Sequence, residues 1–398
     1  MKAPLLENMD ALGDAGPEPH ELAALAASAL GEAAVELLTA RAEAIDFPML
    51  NMTTAGLWRI DGTVRASSSG AGNTGGVARF SMVVKVIQSP LLWRGIEQVP
   101  EAFRAALAAR YPWRTEAQVY ASGLGDVMPQ GGRLPAVFKI AELDSQRTAI
   151  WMEDVADAAM AGWTDRCFAD AARFLGRLSG SAGARECLAA IPDASTPEGL
   201  RFFVEGVGAN VFIPAIQGES LWRHPVVADA ADADLIAGLR GLADRAYALV
   251  EEIIALPQLP AHGDASPQNL LVEVLPEGPA PASFAVIDWG RYGLACSGFD
   301  LGQLLSGWVN QGVMAGHELY RLGPVCLEAY CAGLADSGAD VDEASVRRGH
   351  AASMAIFTGL SAIPIQKLAE QDSAALRSLV AARADMARFV LDQLAATD

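Results

Sequence analysis

The sequence is short of positive charge: 29 Lys and Arg stand against 48 Asp and Glu, a formal net charge of −19 at pH 7, and no basic run occurs. A phosphate backbone demands clustered Lys and Arg, so this balance argues against a nucleic-acid partner. Long apolar runs are missing too. None approaches the ~20 uninterrupted apolar residues of a membrane span, and Met1-Lys2-Ala3-Pro4 opens no apolar stretch of the secretory kind, so a cytoplasmic location is expected. Cysteine is sparse. The five, Cys167, Cys187, Cys296, Cys326 and Cys331, are odd in number and lack metal-ligand spacing, which reads as reduced core thiols. His224, His317 and His350 stand equally far apart and suggest no metal site. The acid excess could draw a cationic small molecule through its summed field, although ordinary solubility chemistry accounts for it first.

What is present is apolar mass. A chain of 398 residues that is 52% hydrophobic is too long for one ordinary core and has enough apolar content for two. Residues 45–155 are β-rich, whereas 156–398 alternate Ala-rich helical stretches with short strands. Residues 21–44 carry the Ala/Leu/Glu spacing of an amphipathic helix, so 1–44 reads as a helical N-terminal extension. The expected class is α+β, with a small antiparallel-sheet lobe followed by a larger, mostly helical lobe.

The most informative stretch is His262-Gly263-Asp264-Ala265-Ser266-Pro267-Gln268-Asn269, followed by Ile287-Asp288-Trp289-Gly290. Residues 270–274, 276–281 and 283–287 read as strand, turn and strand. An antiparallel hairpin returns to its start, which predicts Asn269 and Asp288 side by side at its open end. An amide oxygen and a carboxylate there are hard ligands suited to Mg²⁺ bridging nucleotide phosphates. Asp264, on the incoming loop, can face the same spot and accept a hydroxyl proton or orient the hydroxyl for in-line attack. Each piece alone is a common triplet or turn; their spacing and the intervening hairpin carry the inference.

In these motifs the chain resembles the aminoglycoside phosphotransferase and choline kinase superfamily, the small-molecule branch of the protein-kinase-like fold. The resemblance implies a bilobal kinase-like fold, Asp264 as catalytic base, Asn269 and Asp288 as metal ligands, and His262 as a brace of the loop. Trp289, where protein kinases usually carry Phe, and the lack of an Ala-Pro-Glu segment after Asp288 point away from protein substrates. The Asp of Gly298-Phe299-Asp300 either caps a helix or, as the resemblance implies, steadies the catalytic loop.

Such a site also requires a cation on the phosphates and an acid to hold it. Lys85 lies within the β-branched run Phe80-Ser81-Met82-Val83-Val84-Lys85-Val86-Ile87 and is costly to bury unpaired. Glu116, one element later in a segment of helical spacing, is its expected partner. Thr53, Thr54 and Gly56, in the turn between strands expected at 45–51 and 57–64, are the first choice for the nucleotide loop. The Gly/Ser-rich stretch 67–76 has no Walker Gly-Lys-Ser/Thr and reads as a hairpin tip. The resemblance further implies that Met152, Glu153 and Val155 mark the hinge whose backbone would hydrogen-bond adenine. Trp222, Trp308, Tyr330 and Phe357 could cage an amine, but at helical spacing such aromatics are more often core. The expected activity is ATP-dependent, Mg²⁺-assisted phosphotransfer to a hydroxyl of a small molecule, the alternative being a nucleotide-binding module without turnover that works through partners.

Overall fold

Six strands of the computed structural model pair into one sheet. In chain order they are β1 (Leu5–Glu7), β2 (Val35–Ala44), β3 (Thr54–Ala66) and β4 (Val77–Gln88), then, past a two-residue β5 (Gly132–Arg133) that belongs to another sheet, β6 (Val137–Asp144) and β7 (Arg147–Glu153). They hydrogen-bond in the order β1-β2-β3-β4-β7-β6, antiparallel except for the parallel β1–β2 edge. The structure describes residues 4–46, 51–66, 76–155, 163–274 and 280–398. Two compact units result, the first Met1–Ala121 with Leu134–Ala156, the second Ser122–Arg133 with Asp157–Asp398.

Within the first unit the period-two alternation of β4 sorts its side chains onto two faces. Phe80, Met82, Val84 and Val86 are buried in a core with Leu22, Leu25 and Ala26 of helix α1 (Pro19–Leu30). The opposite face carries Val83 and Ile87, which pack with Ile150, Met152, Trp113, Ala117 and Tyr120. Ala117 and Tyr120 lie on α3 (Thr115–Ala121), which follows α2 (Glu101–Arg110). Lys85 shares the parity of Val83 and Ile87, so strand geometry alone aims it at α3.

Several expectations are corrected here. The helix expected over 21–44 stops at Leu30, where Gly31 adopts a left-handed conformation (φ 68°) and terminates it. Residues 35–44 are instead strand β2, so 1–44 is part of the sheet unit rather than an extension. Of the strand expected at 45–51, residues 45, 46 and 51 are not in a strand and 47–50 lie outside the described residues. In β2 a register shift between Leu37 and Thr39 breaks the apolar alternation, burying Leu37, Ala40 and Ala42, and that irregular spacing among helix-forming residues concealed the strand. Residues 122–133 also leave the expected 45–155 lobe. β5 pairs in parallel with the hairpin strand at Phe284 and Ala285, and Arg133 forms an ion pair with Glu273.

The second unit is built from α4 (Asp165–Gly180), α5 (Ala182–Ala189), α6 (Glu198–Phe203), α7 (Ile213–Gln217), α8 (Pro225–Ala228), α9 (Ala233–Ala255), α10 (Phe299–Asn310), α11 (Leu319–Asp336), α12 (Glu343–Met354) and α13 (Ala374–Ala395). Helices α4 and α11 approach closely because Gly176 and Gly333 each face the other helix's backbone. A Cβ at either would lie 2.1 Å from a carbonyl oxygen, that of Tyr330 or Arg173. Between α6 and α7 the chain runs as a π-helix, Val204–Phe212. The stretch Glu198–Gln217 is long and apolar enough by composition to cross a membrane, and 28% of the residues in its apolar window are buried. It nonetheless carries Glu198, Arg201 and Glu205, and Arg201 pairs with Glu251 of α9.

Candidate active site

The catalytic-loop candidates leave strand β8 (Gln258–Ala261), pass through a 3-10 turn, Pro267–Asn269, and enter the hairpin β9 (Leu270–Val274) and β10 (Ser283–Val286). Leu270 pairs with Val286, and the Ile287 N–H donates to the Asn269 carbonyl at 3.0 Å. Asn269 and Asp288 therefore flank the open end of the hairpin, as its geometry predicts. The tip, residues 275–279, lies outside the described residues, as do 67–75 of the Gly/Ser-rich stretch.

Four hydrogen bonds wire this loop. The Asn269 Nδ2 donates to the Asp264 carbonyl at 2.8 Å. The Asp264 N–H donates to His262 Nδ1 at 3.2 Å, and His262 Nε2 donates to the Ile287 carbonyl at 3.0 Å. That pair of bonds requires the tautomer with hydrogen on Nε2, and one buried ring thereby ties the Asp264 backbone to the residue before Asp288. The fourth joins the Trp289 indole N–H to the Val286 carbonyl at 2.8 Å, setting that ring 4.6 Å from His262.

Asp300 supports the loop from below. Its Oδ2 accepts the His262 N–H at 2.8 Å and its Oδ1 the Gly263 N–H at 2.9 Å. Burial pushes its carboxyl up to about 6, against the lowering effect of those two bonds. The helix-cap reading is corrected: Gly298 occupies the N-cap of α10 without a side-chain cap, and the Asp300 carboxylate is turned to the loop. Gly263 itself has φ +84°, and a Cβ there would lie 2.2 Å from the Arg291 carbonyl oxygen. Glycine is thus required twice, by conformation and by contact.

Asp288 is held at φ 60° and ψ 58°, a left-handed conformation that Asp tolerates and that recurs at ligand-binding positions. The donor set suits a magnesium ion shared with phosphates. Because the Asn269 NH₂ is committed to the Asp264 carbonyl, its Oδ1 is the atom left to face a cation, beside one carboxylate. Among the described residues no group of three or more His, Cys, Asp and Glu could hold a metal. An all-protein cage is therefore not offered; Mg²⁺ usually takes one or two protein oxygens plus substrate phosphates.

In the first unit, Lys85 Nζ lies 2.6 Å from Glu116 Oε2, with the two side chains 11% and 3% exposed. The loop candidates divide. Thr53 closes a small turn, its N–H and hydroxyl both 3.1 Å from Asn51 Oδ1. Thr54 and Gly56 are already in β3, which corrects their assignment to a loop. Thr54 is buried, and the space above Gly56 is filled by the Trp58 indole. Strand β7 ends at Glu153, whose N–H donates to the Ala136 carbonyl at 2.8 Å and is unavailable to a base. Met152 is a core side chain beside Ile87 and Ile150, and Val155 follows the strand. The neighbouring Asp154 accepts from Arg59 and Ser81, a structural duty.

Of the aromatic residues considered for an amine cage, Trp222, Trp308 and Tyr330 are buried. Trp308 packs against Trp163 and Phe168, Tyr330 donates to Ser179, and only Phe357 reaches the surface, at 36% exposure. Sequence reasoning missed Arg291 and the 195–200 segment, whose Ser195 N–H donates to the Tyr292 carbonyl at 2.9 Å. No local motif marks that segment, because only tertiary pairing brings it beside the catalytic turn.

The phosphotransferase enzyme family matches this chain over residues 127–340. No curated protein matches it. Among solved structures it is similar to a spectinomycin phosphotransferase in complex with ADP and spectinomycin, at 12% identity and TM-score 0.45 over 89% of this chain and 92% of that one. An amicoumacin kinase bound to AMP-PNP and Ca²⁺ aligns at 11% identity and TM-score 0.43, covering 88% of each chain. The GDP complex of an aminoglycoside 2'-phosphotransferase aligns at 14% identity and TM-score 0.43 over 94% of this chain and all (100%) of that one.

Proposed function

The chain belongs to the phosphotransferase enzyme family, and from that premise we propose that it transfers the γ-phosphoryl group of ATP to a hydroxyl of a small molecule. The observation that carries the proposal is the register that sets Asn269 and Asp288 at the open end of one hairpin, with the backbone of Asp264 bonded to the first of them.

In this reading Asp264 orients the acceptor hydroxyl and takes its proton as the oxygen attacks the γ-phosphorus. The bond from that phosphorus to the β,γ-bridging oxygen breaks, and ADP leaves. Asn269 Oδ1 and the Asp288 carboxylate would hold the Mg²⁺ ion, which when bound neutralises phosphate oxygens. Lys85, fixed by Glu116, would hold the α- and β-phosphates as a preset cation, needing no rearrangement at the moment of transfer. His262 and Asp300 act through the loop backbone and are positioning residues. Nothing favours the alternative of a module without turnover, since none of the five groups in question is replaced.

The test is ATP-dependent phosphorylation across an acceptor panel by wild type and Asp264→Ala, with circular dichroism to verify folding. Acceptor-dependent ADP release by wild type and a fall of about 10²-fold or more in the variant are expected. An unchanged rate in Asp264→Ala with a true acceptor would defeat the assignment.

A further inference from the structure

We infer that the acceptor is predominantly apolar and is not a polycation. The inference rests on the phosphotransfer reading above and adds the chemistry of the molecule that Asp264 addresses. Within the second unit a cavity of about 90 Å³ opens against Gly263, the residue before Asp264, and against Arg291, three residues after Asp288. Its walls include Leu200, Ile253, Leu294, Phe299 and Phe357. Among the described residues that line it, Arg291 is the one charged side chain, and no acid is present.

A polycationic acceptor entering such a site would lose hydration and would meet no carboxylate besides Asp264 to replace it, a cost that grows with every further amine. The faces of Phe299 and Phe357 would attract a cation only weakly at a partly exposed site, and the same lining already contains the positive side chain of Arg291. A neutral or anionic molecule meets no such opposition. The acidic net charge of the chain is therefore not repeated where the acceptor binds.

The walls are also organised for apolar contact. Phe357 stacks on Phe203 with centroids 4.8 Å apart and planes 21° from parallel, and Phe299 meets Phe357 edge-on at 6.4 Å. Phe203 leads into the π-helix Val204–Phe212, where Val207 and Val211 are each 37% exposed. Here the segment departs from the same helix that supplies Leu200 to the cavity. At about 90 Å³ the cavity is smaller than the roughly 150 Å³ of a dry pocket that takes up benzene, so a larger acceptor would seat one small apolar moiety or the edge of a ring there.

The full-length protein with ATP and MgCl₂ is assayed for ADP release and by ³¹P NMR against two acceptor sets at equal concentration. One set holds neutral aryl-alkyl alcohols such as 2-phenylethanol and 3-phenylpropanol, the other polyamino cyclitols. The first set is expected to raise ADP release above the acceptor-free rate, with kcat/KM at least about 10-fold above the second. Phe357→Asp should lower kcat/KM for the alcohols by about 10-fold, chiefly through KM. Thr196→Asp, at an exposed position on the rim, should narrow the gap between the sets and serves if Phe357→Asp does not fold. Polycations turned over as well as or better than the alcohols by wild type would overturn the inference and leave phosphotransfer standing. Variants that leave both KM values unchanged would overturn the assignment to this cavity. No acceptor-dependent product from either set, with Asp264→Ala indistinguishable from wild type, would remove the phosphotransfer reading and this inference together.

Discussion

Asn269 holds Asp264 by its backbone: the side-chain NH₂ of the first donates to the carbonyl of the second across 2.8 Å. One bond thus couples the proposed metal ligand to the proposed base, and it works only with an amide. Asn269→Asp would retain an oxygen for a cation but set a second acceptor against the Asp264 carbonyl. Turnover is expected to fall about 10²-fold, with a rise in the Mg²⁺ concentration for half-maximal rate. A titration of rate against MgCl₂ checks both, and wild-type behaviour would count against the coupling.

Lys85 and Glu116 are nearly sequestered from water, so each depends on the other. Removing one partner of a buried pair leaves an uncompensated charge, typically costing about 3–5 kcal/mol. Glu116→Leu should therefore lower stability by that order, while Lys85→Met with Glu116→Leu should recover most of it and remain without turnover. Urea denaturation of the two singles and the double gives the coupling energy. Additive effects would show that the pair contributes nothing as a pair.

Lys85 and Glu116 were legible in sequence because strand parity and chain order are local signals. The hairpin was legible for the same reason: apolar runs bounded by Pro and Gly flank Asn269 and Asp288. Strand β2 was not, since its bulge near Leu37 and its Ala, Leu and Glu content imitate a helix until pairing with β3 decides the matter. Thr54 and Gly56 were misread by two or three residues at the entry of β3, and only the buried Thr54 and the Trp58 indole over Gly56 reveal it. Phe357, Arg291 and the 195–200 segment meet through tertiary contacts alone, which no spacing rule encodes.

Gly263→Ala tests how tightly the catalytic loop is packed against the turn after Asp288. The new methyl group would demand a left-handed alanine and meet the Arg291 backbone at once. Backbone strain of this kind costs about 1–3 kcal/mol, and relief would move Asp264 or Arg291. Activity should drop more than about 10-fold while most of the fold survives. Thermal unfolding and steady-state rates on the same preparation separate the two, and full activity in the variant would contradict the contact.

Asp300 and His350 give the second unit opposed responses to pH. The Asp300 carboxyl, raised by burial to about 6, keeps a proton that the unfolded chain has released above its ordinary value of 3.8. Stability from this group is complete below that value and declines as pH rises to about 6, by about 3 kcal/mol in total. His350, buried and lowered to about 4 from 6.5, behaves in reverse. The unfolded chain binds a proton that the folded chain refuses, so stability is complete above 6.5 and is lost as pH falls toward 4, by a similar amount. Between about 4 and 6 the two slopes largely cancel. Asp300→Asn removes the first and should leave a variant whose stability, relative to wild type, rises with pH across that window by about 1.4 kcal/mol per unit. His350→Gln removes the second and should show the opposite relative slope. Denaturant titrations of the three proteins at pH 4.5, 5.5 and 6.5 decide it. Parallel curves for all three would mean that neither group changes its proton affinity on folding, and the Asp300 carboxyl would then be ionised across this range despite its burial.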